Sequence, residues 1–141
     1  MKTVLITGSN GLLGQKVVNL LARREAVRVV ATSNGSNRNP DRDGWTYQPL
    51  DITDFDQLQQ IFAAARPTDV INTAAMTNVD ACEQDPARCH LVNVKAVRSL
   101  CGLCLEYGAR LVHLSTDFVY DGAAGPYRED DPPNPLSAYG R

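Results

Sequence analysis

The sequence has no long apolar run, almost no net charge and few aromatic residues. No stretch of about 18 apolar residues occurs, which excludes a transmembrane helix. Lys and Arg number 14 and Asp and Glu number 16, so the formal net charge is −2. That balance lacks the basic surface that nucleic acid or an anionic membrane would need. The 2 histidines lack metal-ligand spacing and no second C-x-x-C pair completes a tetrahedral site, so we expect no metal site.

The remaining composition is that of an ordinary globular protein. Hydrophobic residues make up 43% and charged residues 21% of the 141 positions, which argues against a disordered or fibrous chain. The length suits one domain with a buried core. The N-terminal residues 1–8 carry too short an apolar stretch for a signal peptide. We therefore expect a cytoplasmic protein with reduced thiols.

Two of the cysteines, Cys101 and Cys104, have the C-x-x-C spacing of a redox pair or half a zinc site. The alternative is two small apolar residues on a buried helix face. We favour the second interpretation because free cysteine packs like a small hydrophobe and no second C-x-x-C is present.

Short apolar strands alternate with helical patterns along the chain. This alternation predicts an α/β fold, a Rossmann-type doubly wound parallel sheet with strand order 3-2-1-4-5. The predicted strands are residues 3–7, 27–31, 45–50, 69–73 and 110–115, and helices follow residues 11, 53 and 85.

The helices carry start and stop signals. Thr53 is the predicted N-cap of the second helix. The third helix is predicted to begin at Pro86, after Asp85, and to run to Tyr107, with Gly108 ending it. In the first helix, the predicted buried face is Leu13, Val17, Leu20 and Leu21, and Arg23 and Arg24 are placed in the last turn.

A glycine turn, Gly8-x-x-Gly11-x-x-Gly14, joins the first strand to the first helix. Glycines allow the tight turn, the close approach of a pyrophosphate and close packing of the helix on the strand. The alternative is a turn that only closes a strand–helix unit. Because a strand precedes it and a helix follows, we favour dinucleotide binding.

The residues after the second strand bear on which dinucleotide binds. No acidic residue occupies positions 31–34, where an NAD domain usually holds the ribose 2′-hydroxyl. Ser33, Ser36 and Arg38 follow, and arginine suits a 2′-phosphate. We therefore favour NADP(H) over NAD(H), although Arg38 as a solvated loop charge is the alternative. Asp51 could accept a hydrogen bond from adenine or only belong to the cap before the second helix.

Four stretches carry a resemblance to a known family: residues 8–14, 72–80, 114–122 and 135–141. With these motifs the sequence resembles the extended short-chain dehydrogenase/reductases, and within them it is most similar to the dTDP-4-dehydrorhamnose reductases. The third stretch, with Thr116 followed by Asp117, is the most specific for the reductase branch.

The resemblance implies a role for individual residues. Thr116 would hydrogen-bond the sugar C4 carbonyl, Tyr139 would be the general acid, and Asn93 would support the active site. Val79, Thr116 and Asp117 would contact the sugar nucleotide. Together with the turn and loop residues above, the expected cofactor-binding set is Gly8, Asn10, Gly11, Leu12, Leu13, Gly14, Ser33, Arg38, Asp51, Ile52, Ala74, Ala75, Met76, Thr77, Leu114 and Tyr139.

The family also has a lysine four residues after the tyrosine, which would lower the phenol pKa. Arg141 is the last residue here, two positions after Tyr139. We therefore expect residues 1–141 to be an incomplete NAD(P)-binding domain, truncated before the later strands and lacking the substrate-binding C-terminal region. We expect this chain alone to be inactive.

The resemblance implies NAD(P)H-dependent reduction of the C4 ketone of dTDP-4-dehydro-6-deoxy-L-mannose in dTDP-L-rhamnose synthesis. The partner would be a nucleotide-sugar substrate, and a homodimer is possible. One alternative is a non-catalytic NADP-binding subunit resembling the regulatory subunit of methionine adenosyltransferase. Another is a sugar-nucleotide epimerase or dehydratase, which the Thr116–Asp117 pair disfavours.

Overall fold

The computed structural model describes residues 1–141 and consists of one parallel sheet with helices on both faces. The strands are β1 (Lys2–Thr7), β2 (Val27–Ser33), β3 (Trp45–Pro49), β4 (Asp69–Asn72) and β5 (Arg110–His113). The helices are α1 (Leu12–Ala22), α2 (Phe55–Ala65), α3 (Val79–Gln84), α4 (Pro86–His90) and α5 (Ala96–Tyr107). A π-helical turn (Leu91–Lys95) joins α4 to α5, and a 3₁₀ turn (Asp117–Val119) follows β5.

The strand order is β3-β2-β1-β4-β5 and every pairing is parallel, which confirms the predicted fold and order. Right-handed crossovers send β2 and β3 to one side of β1 and β4 and β5 to the other. The register aligns Thr7 with Thr32 on one side and with Asn72 on the other. The order in which strands are added therefore reverses between β1 and β4, and a crevice opens at the carboxyl ends of these two strands.

Two apolar cores lie on opposite faces of the sheet, as a doubly wound fold requires. One lies between the sheet and helices α2 and α5, and the other between the sheet and α1. Each fully buried Leu or Phe contributes about 1.5–3 kcal/mol. The first core includes Leu5, Leu58, Phe62, Val70 and Leu100, and the second consists of Val4, Ile6, Val18, Val29 and Ala31.

The predicted buried face of α1 is wrong for two of its four leucine and valine positions. Leu13 is 45% and Leu20 59% exposed, whereas Val18 is fully buried. The cause is the close contact at Gly14, where an added Cβ would lie 2.4 Å from the Gly8 carbonyl oxygen. That contact turns residues 14 and 18 towards the sheet. Helix α1 also ends at Ala22, before the two arginines that were expected in its last turn.

The start of α2 differs from the prediction by one residue. Asp54, and not Thr53, is the N-cap, because its carboxylate accepts a hydrogen bond of 3.1 Å from the Gln57 N–H. Gln57 Nε2 donates back to Asp54 at 2.8 Å. The backbone hydrogen bond from Gln57 is the main reason that the pKa of Asp54 is lowered. Thr53 instead donates its hydroxyl to Asp51 Oδ1 at 2.7 Å.

The predicted helix from Pro86 to Tyr107 is confirmed, but the π-helical turn interrupts it. Asp85 caps its start by accepting from the Arg88 N–H at 2.9 Å, and Gly108 ends it with φ of 66°. The short helix α3 was not predicted. No helix of the structure has the length and apolar character needed to cross a membrane.

All four cysteines are free thiols. Cys104 is buried, as expected for a small apolar core residue, and burial raises the pKa of its thiol to about 11. Cys101 is exposed, so the expectation of a buried face is wrong for this residue. Strand β5 ends at His113, two residues earlier than predicted, so Leu114 and Ser115 lie beyond the sheet.

Candidate cofactor-binding and active site

The glycine turn leaves no room for side chains at two of its three glycines. Gly8 has φ of 72°, and a Cβ there would lie 2.5 Å from the Ala74 backbone nitrogen. Gly14 is blocked by the turn itself. Gly11 is the N-cap of α1 and no side chain caps that helix end, so its first N–H groups are free for an anion. These features fit the pyrophosphate of a dinucleotide.

A cleft of about 410 Å³ lies at the carboxyl ends of β1 to β4. It contains half of the predicted cofactor-binding residues: Gly8, Gly11, Ser33, Asp51, Ile52, Ala74, Ala75 and Met76. Six further lining residues were not among the predicted ones: Asn34, Leu50, Thr53, Thr73, Arg88 and Val92. Four of these six adjoin predicted positions in sequence: Asn34, Leu50, Thr53 and Thr73. The other two, Arg88 and Val92, reach the cleft only through the packing of α4 and the π-helical turn.

A second cleft, also about 410 Å³, lies on the other side of the glycine turn. Both clefts are lined by Gly11, Thr73, Ala74 and Ala75, so the two meet beside the start of α1. Two half-sites joined at a helix N-terminus match the shape of a dinucleotide with its pyrophosphate in the middle. The second cleft contains the predicted residues Leu12, Leu13, Gly14, Thr77, Leu114 and Tyr139.

A smaller cavity of about 170 Å³ brings the predicted catalytic pair, Thr116 and Tyr139, together. It shares Ala75, Leu114, Ser115 and Tyr139 with the second cleft and so continues it. Thr116 Oγ1 accepts from the Phe118 N–H at 3.2 Å. The Tyr139 ring packs edge-on against Phe118, with ring centroids 5.6 Å apart. Both hydroxyl-bearing side chains therefore border the same space at the end of the second cleft.

The other predicted residues lie around these cavities. Asp117 lines a separate cavity of about 380 Å³ with Tyr120 and Tyr127, and Val79 begins α3 outside all four. Asn10 and Arg38 do not line the first cleft. They contact each other beside it, where the Arg38 N–H donates to Asn10 Oδ1 at 2.8 Å.

Asp51 is placed to serve both roles that the sequence left open, as a cleft residue and as part of the turn before α2. It lines the first cleft, and its Oδ1 also accepts from the Thr53 N–H at 2.9 Å in the turn before α2. The turn uses only one carboxylate oxygen, so the other is free to accept from a ligand.

A row of polar side chains that the sequence analysis did not identify lies beneath the clefts, with Thr7 and Asn72 buried and His113 exposed. Thr7 Oγ1 donates to Asn72 Oδ1, and Asn72 Nδ2 is 3.0 Å from His113 Nδ1. Asn72 is 1% exposed. The Ala74 N–H also donates to Asn72 Oδ1 at 3.2 Å. These bonds join the carboxyl ends of β1, β4 and β5 and fix the backbone that both clefts share.

Asn93, at the centre of the π-helical turn, holds the loop after β4. The Met76 N–H donates to Asn93 Oδ1 at 2.8 Å, and Asn93 Nδ2 donates to the Met76 carbonyl at 2.9 Å. Cys82 Sγ donates to the same carbonyl at 3.5 Å. Burial, aided by the neighbouring Cys89, raises the pKa of Cys82 to about 11, so this thiol stays protonated and is a structural group.

The fold and the site together define a Rossmann-type dinucleotide-binding domain with a Thr–Tyr pair at one end of its cleft. Residues 1–141 match the family model described as RmlD substrate binding domain, and the chain belongs to that family. The side chains that could ligate a metal form no group of three or more.

Several named proteins are similar to this chain in sequence or in structure. The chain is 41% identical to a dTDP-4-dehydrorhamnose reductase of Streptomyces griseus over 96% of its own length. It matches the crystal structure of a hypothetical dTDP-4-dehydrorhamnose reductase from Sulfolobus tokodaii with a TM-score of 0.86 and 39% identity, over 99% of this chain and 48% of that one. It is also 33% identical to methionine adenosyltransferase 2 subunit beta of Xenopus tropicalis, over 99% of this chain and 40% of that protein.

The chain spans less than half the length of these relatives, and only 40% of the Streptomyces griseus reductase. The matched part contains the glycine turn, both clefts and the Thr116–Tyr139 cavity.

Proposed function

We propose that the protein carrying this chain is an NAD(P)H-dependent reductase of a dTDP-4-keto-6-deoxy sugar, with dTDP-4-dehydro-6-deoxy-L-mannose as its substrate. The observation that carries the proposal is the shared cavity of Thr116 and Tyr139, which continues the second cleft. A carbonyl placed there would border both hydroxyl-bearing side chains and would lie next to the space for a nicotinamide. The similarity to named dTDP-sugar reductases supports the same substrate class.

The residues present fit a nicotinamide dinucleotide. The glycine turn and the free start of α1 would hold the pyrophosphate, and the cleft beside Asp51 and Ile52 would take the adenine. The second cleft, lined by Thr77 and Leu114, would take the nicotinamide. When bound, the reduced cofactor supplies a hydride.

The chain's own residues would handle the proton. Thr116 would donate a hydrogen bond to the C4 carbonyl oxygen and hold the carbonyl towards the cofactor cleft. Once the carbon has gained a hydride, the carbonyl oxygen would hold the C=O electron pair and would take the Tyr139 hydroxyl proton, which would leave a phenolate. Solvent then reprotonates Tyr139. Asp117 and Val79 would contact the rest of the nucleotide sugar.

NADP(H) would be preferred to NAD(H). The first cleft has Ser33 and Asn34 at the end of β2, where a carboxylate would otherwise repel a 2′-phosphate. The Arg38 guanidinium takes part in no ion pair or hydrogen bond, which leaves it free for a phosphate.

Two measurements test the proposal. Fluorescence titration should show NADPH binding, and NADPH should bind more tightly than NADH. The complete polypeptide should oxidise NADPH when a dTDP-4-keto-6-deoxy sugar is added. Cofactor binding without any turnover of keto sugars would reject the reductase.

The similarity to methionine adenosyltransferase 2 subunit beta favours one second candidate, a non-catalytic NADP-binding subunit. It predicts the same cofactor binding but no consumption of NADPH. Turnover of a keto sugar would therefore separate the two.

A further inference from the structure

We propose that Asn10 and Tyr47 are positioning residues for cofactor selectivity: they hold the loop after β2 where Arg38 meets the 2′-phosphate of NADPH. This inference rests on the proposed function and names residues that act through the loop. The loop, residues 34–44, joins β2 to β3 and contains no helix or strand. We call residues 34–44 the ribose loop.

Asn10 ties the ribose loop to the glycine turn. Its Nδ2 donates to the Ser36 carbonyl at 2.9 Å, and its Oδ1 accepts from the Arg38 N–H at 2.8 Å. Both ends of one amide are therefore bonded to backbone groups two residues apart. Because Asn10 stands in the turn that would hold the pyrophosphate, these bonds fix the distance from the pyrophosphate to Arg38.

Tyr47 ties the same loop from the other side. Its hydroxyl lies 3.0 Å from the Ser33 carbonyl oxygen and 2.6 Å from the Gly35 carbonyl oxygen. Gly35 has φ of 77°, so the chain turns sharply where the hydroxyl meets it. Tyr47 lies on β3 and does not line either cofactor cleft.

A third anchor lies further along the ribose loop. Asn39 is fully buried, and its Nδ2 donates to Asn19 Oδ1 on α1 at 2.7 Å. A loop of this length without regular structure would ordinarily be mobile, and ordering it on binding would cost affinity. Here three side chains order it in advance.

The charges of the loop single out Arg38 as the phosphate ligand. Arg42 donates its guanidinium to the Asn37 carbonyl at 3.2 Å, and the Asp41 carboxylate accepts from the Asp43 N–H at 3.2 Å. Both groups are used inside the loop. Arg38 is bonded through its backbone only, so its side chain is available while its backbone is fixed.

The test compares NADPH and NADH binding in the Asn10→Ala and Tyr47→Phe variants. NADH shares the pyrophosphate, so its Kd reports any damage to the glycine turn. Each variant should weaken NADPH binding by about three- to tenfold, as expected for lost hydrogen bonds, and should change NADH binding much less. The control is Tyr120→Phe. It also removes a hydrogen bond from a tyrosine hydroxyl to a backbone carbonyl, that of Arg128 at 2.7 Å, but this bond lies outside the ribose loop.

A double-mutant cycle separates positioning from stability. If Asn10 acts through Arg38, then Asn10→Ala should have almost no further effect on NADPH selectivity once Arg38→Ala is present. Equal weakening of both cofactors, unchanged selectivity, or additive effects with Arg38→Ala would overturn the inference and leave the proposed reductase standing. Failure of the unsubstituted protein to bind either cofactor would overturn the proposed function and the inference with it.

Discussion

The side-chain amide of Asn93 forms a two-point clamp on the backbone of Met76. Oδ1 accepts from the Met76 N–H at 2.8 Å and Nδ2 donates to the Met76 carbonyl at 2.9 Å. The clamp links the π-helical turn to the loop after β4, and Met76 borders the first cleft. A wider helical turn at a functional site is a known use of π-helical geometry.

The Asn93→Ala variant should release this loop. Loss of the two hydrogen bonds should lower the free energy of unfolding by about 1–3 kcal/mol. The cofactor should also bind more weakly, because Met76 is no longer held at the cleft. Urea unfolding and NADPH titration check both effects, and Asn93→Asp, which keeps only the acceptor, should fall between. Wild-type values for both quantities in Asn93→Ala would reject the role of the clamp.

Substitution by alanine should lower the free energy of unfolding at Gly8 but not at Gly102. At Gly8 the new Cβ would lie 2.5 Å from the Ala74 nitrogen, at a positive φ. The free energy of unfolding should fall by more than about 3 kcal/mol, or the protein should not fold. At Gly102, in α5, nothing lies within 4 Å, and alanine should be neutral or add about 0.5–1 kcal/mol. Equal stability of the two variants, measured by urea unfolding, would contradict the packing described at the turn.

Tyr139→Phe should separate binding from chemistry. In the complete polypeptide, loss of the proton donor should lower turnover by about 10²–10⁴-fold. NADPH binding should be retained, because the ring and its edge contact with Phe118 remain. Steady-state NADPH oxidation with a keto sugar gives the first quantity and fluorescence titration the second. Thr116→Val should also lower turnover, because the carbonyl loses its hydrogen-bond donor, and Thr116→Ser, which keeps the hydroxyl, is its matched control. Near-normal turnover in Tyr139→Phe would remove this residue from the catalytic proposal.

Asp121 should titrate at an unusually low pH. Its carboxylate accepts from the Tyr127 hydroxyl, from the Ala123 N–H at 2.9 Å and from Asn134 Nδ2 at 2.8 Å. These bonds, that from Tyr127 first, lower its pKa to about 2. Because the folded-state pKa lies below the usual 3.8, the ionised carboxylate stabilises the folded state above about pH 4. That contribution is lost as the pH falls towards 2.

Carbon-13 NMR titration of the Asp121 carboxyl group measures this pKa directly. Tyr127→Phe should raise it towards the usual range. Asp130→Asn is the control, because Asp130 forms only an exposed ion pair with Arg128. A midpoint near 3.8 in the unsubstituted protein would show that the three hydrogen bonds do not form in solution.

The sheet order was predictable because strands and helices alternate along the sequence. The glycine turn was predictable because the tight turn and the close packing of helix on strand leave no room for side chains at Gly8 and Gly14. Each predicted strand begins within one residue of its observed start. The proposed catalytic pair follows from resemblance, and only the folded chain shows that Thr116 and Tyr139 line one cavity, since 22 residues separate them in sequence. The exposure of Leu13 and Leu20 was not predictable from periodicity, because a single backbone contact at Gly14 sets the rotation of α1.

Other features depend on side-chain competition that spacing does not reveal. Thr53 and Asp54 are both good N-caps, and Asp54 takes the position because Gln57 bonds to it twice. Helix α3 has only six residues and no apolar stripe long enough to recognise. Two of the three side chains that order the ribose loop, Asn10 and Tyr47, lie outside it in sequence.

The most direct test of the central claim is transfer of deuterium from NADPH labelled at the nicotinamide C4 to a dTDP-4-keto-6-deoxy sugar. The complete polypeptide and both labelled C4 epimers of NADPH would be used, with the product examined by NMR. Deuterium is expected at C4 of the reduced sugar from one of the two epimers, and its transfer in Tyr139→Phe should be slower by about 10²–10⁴-fold. NADPH that binds but leaves the sugar unreduced and unlabelled would contradict the account.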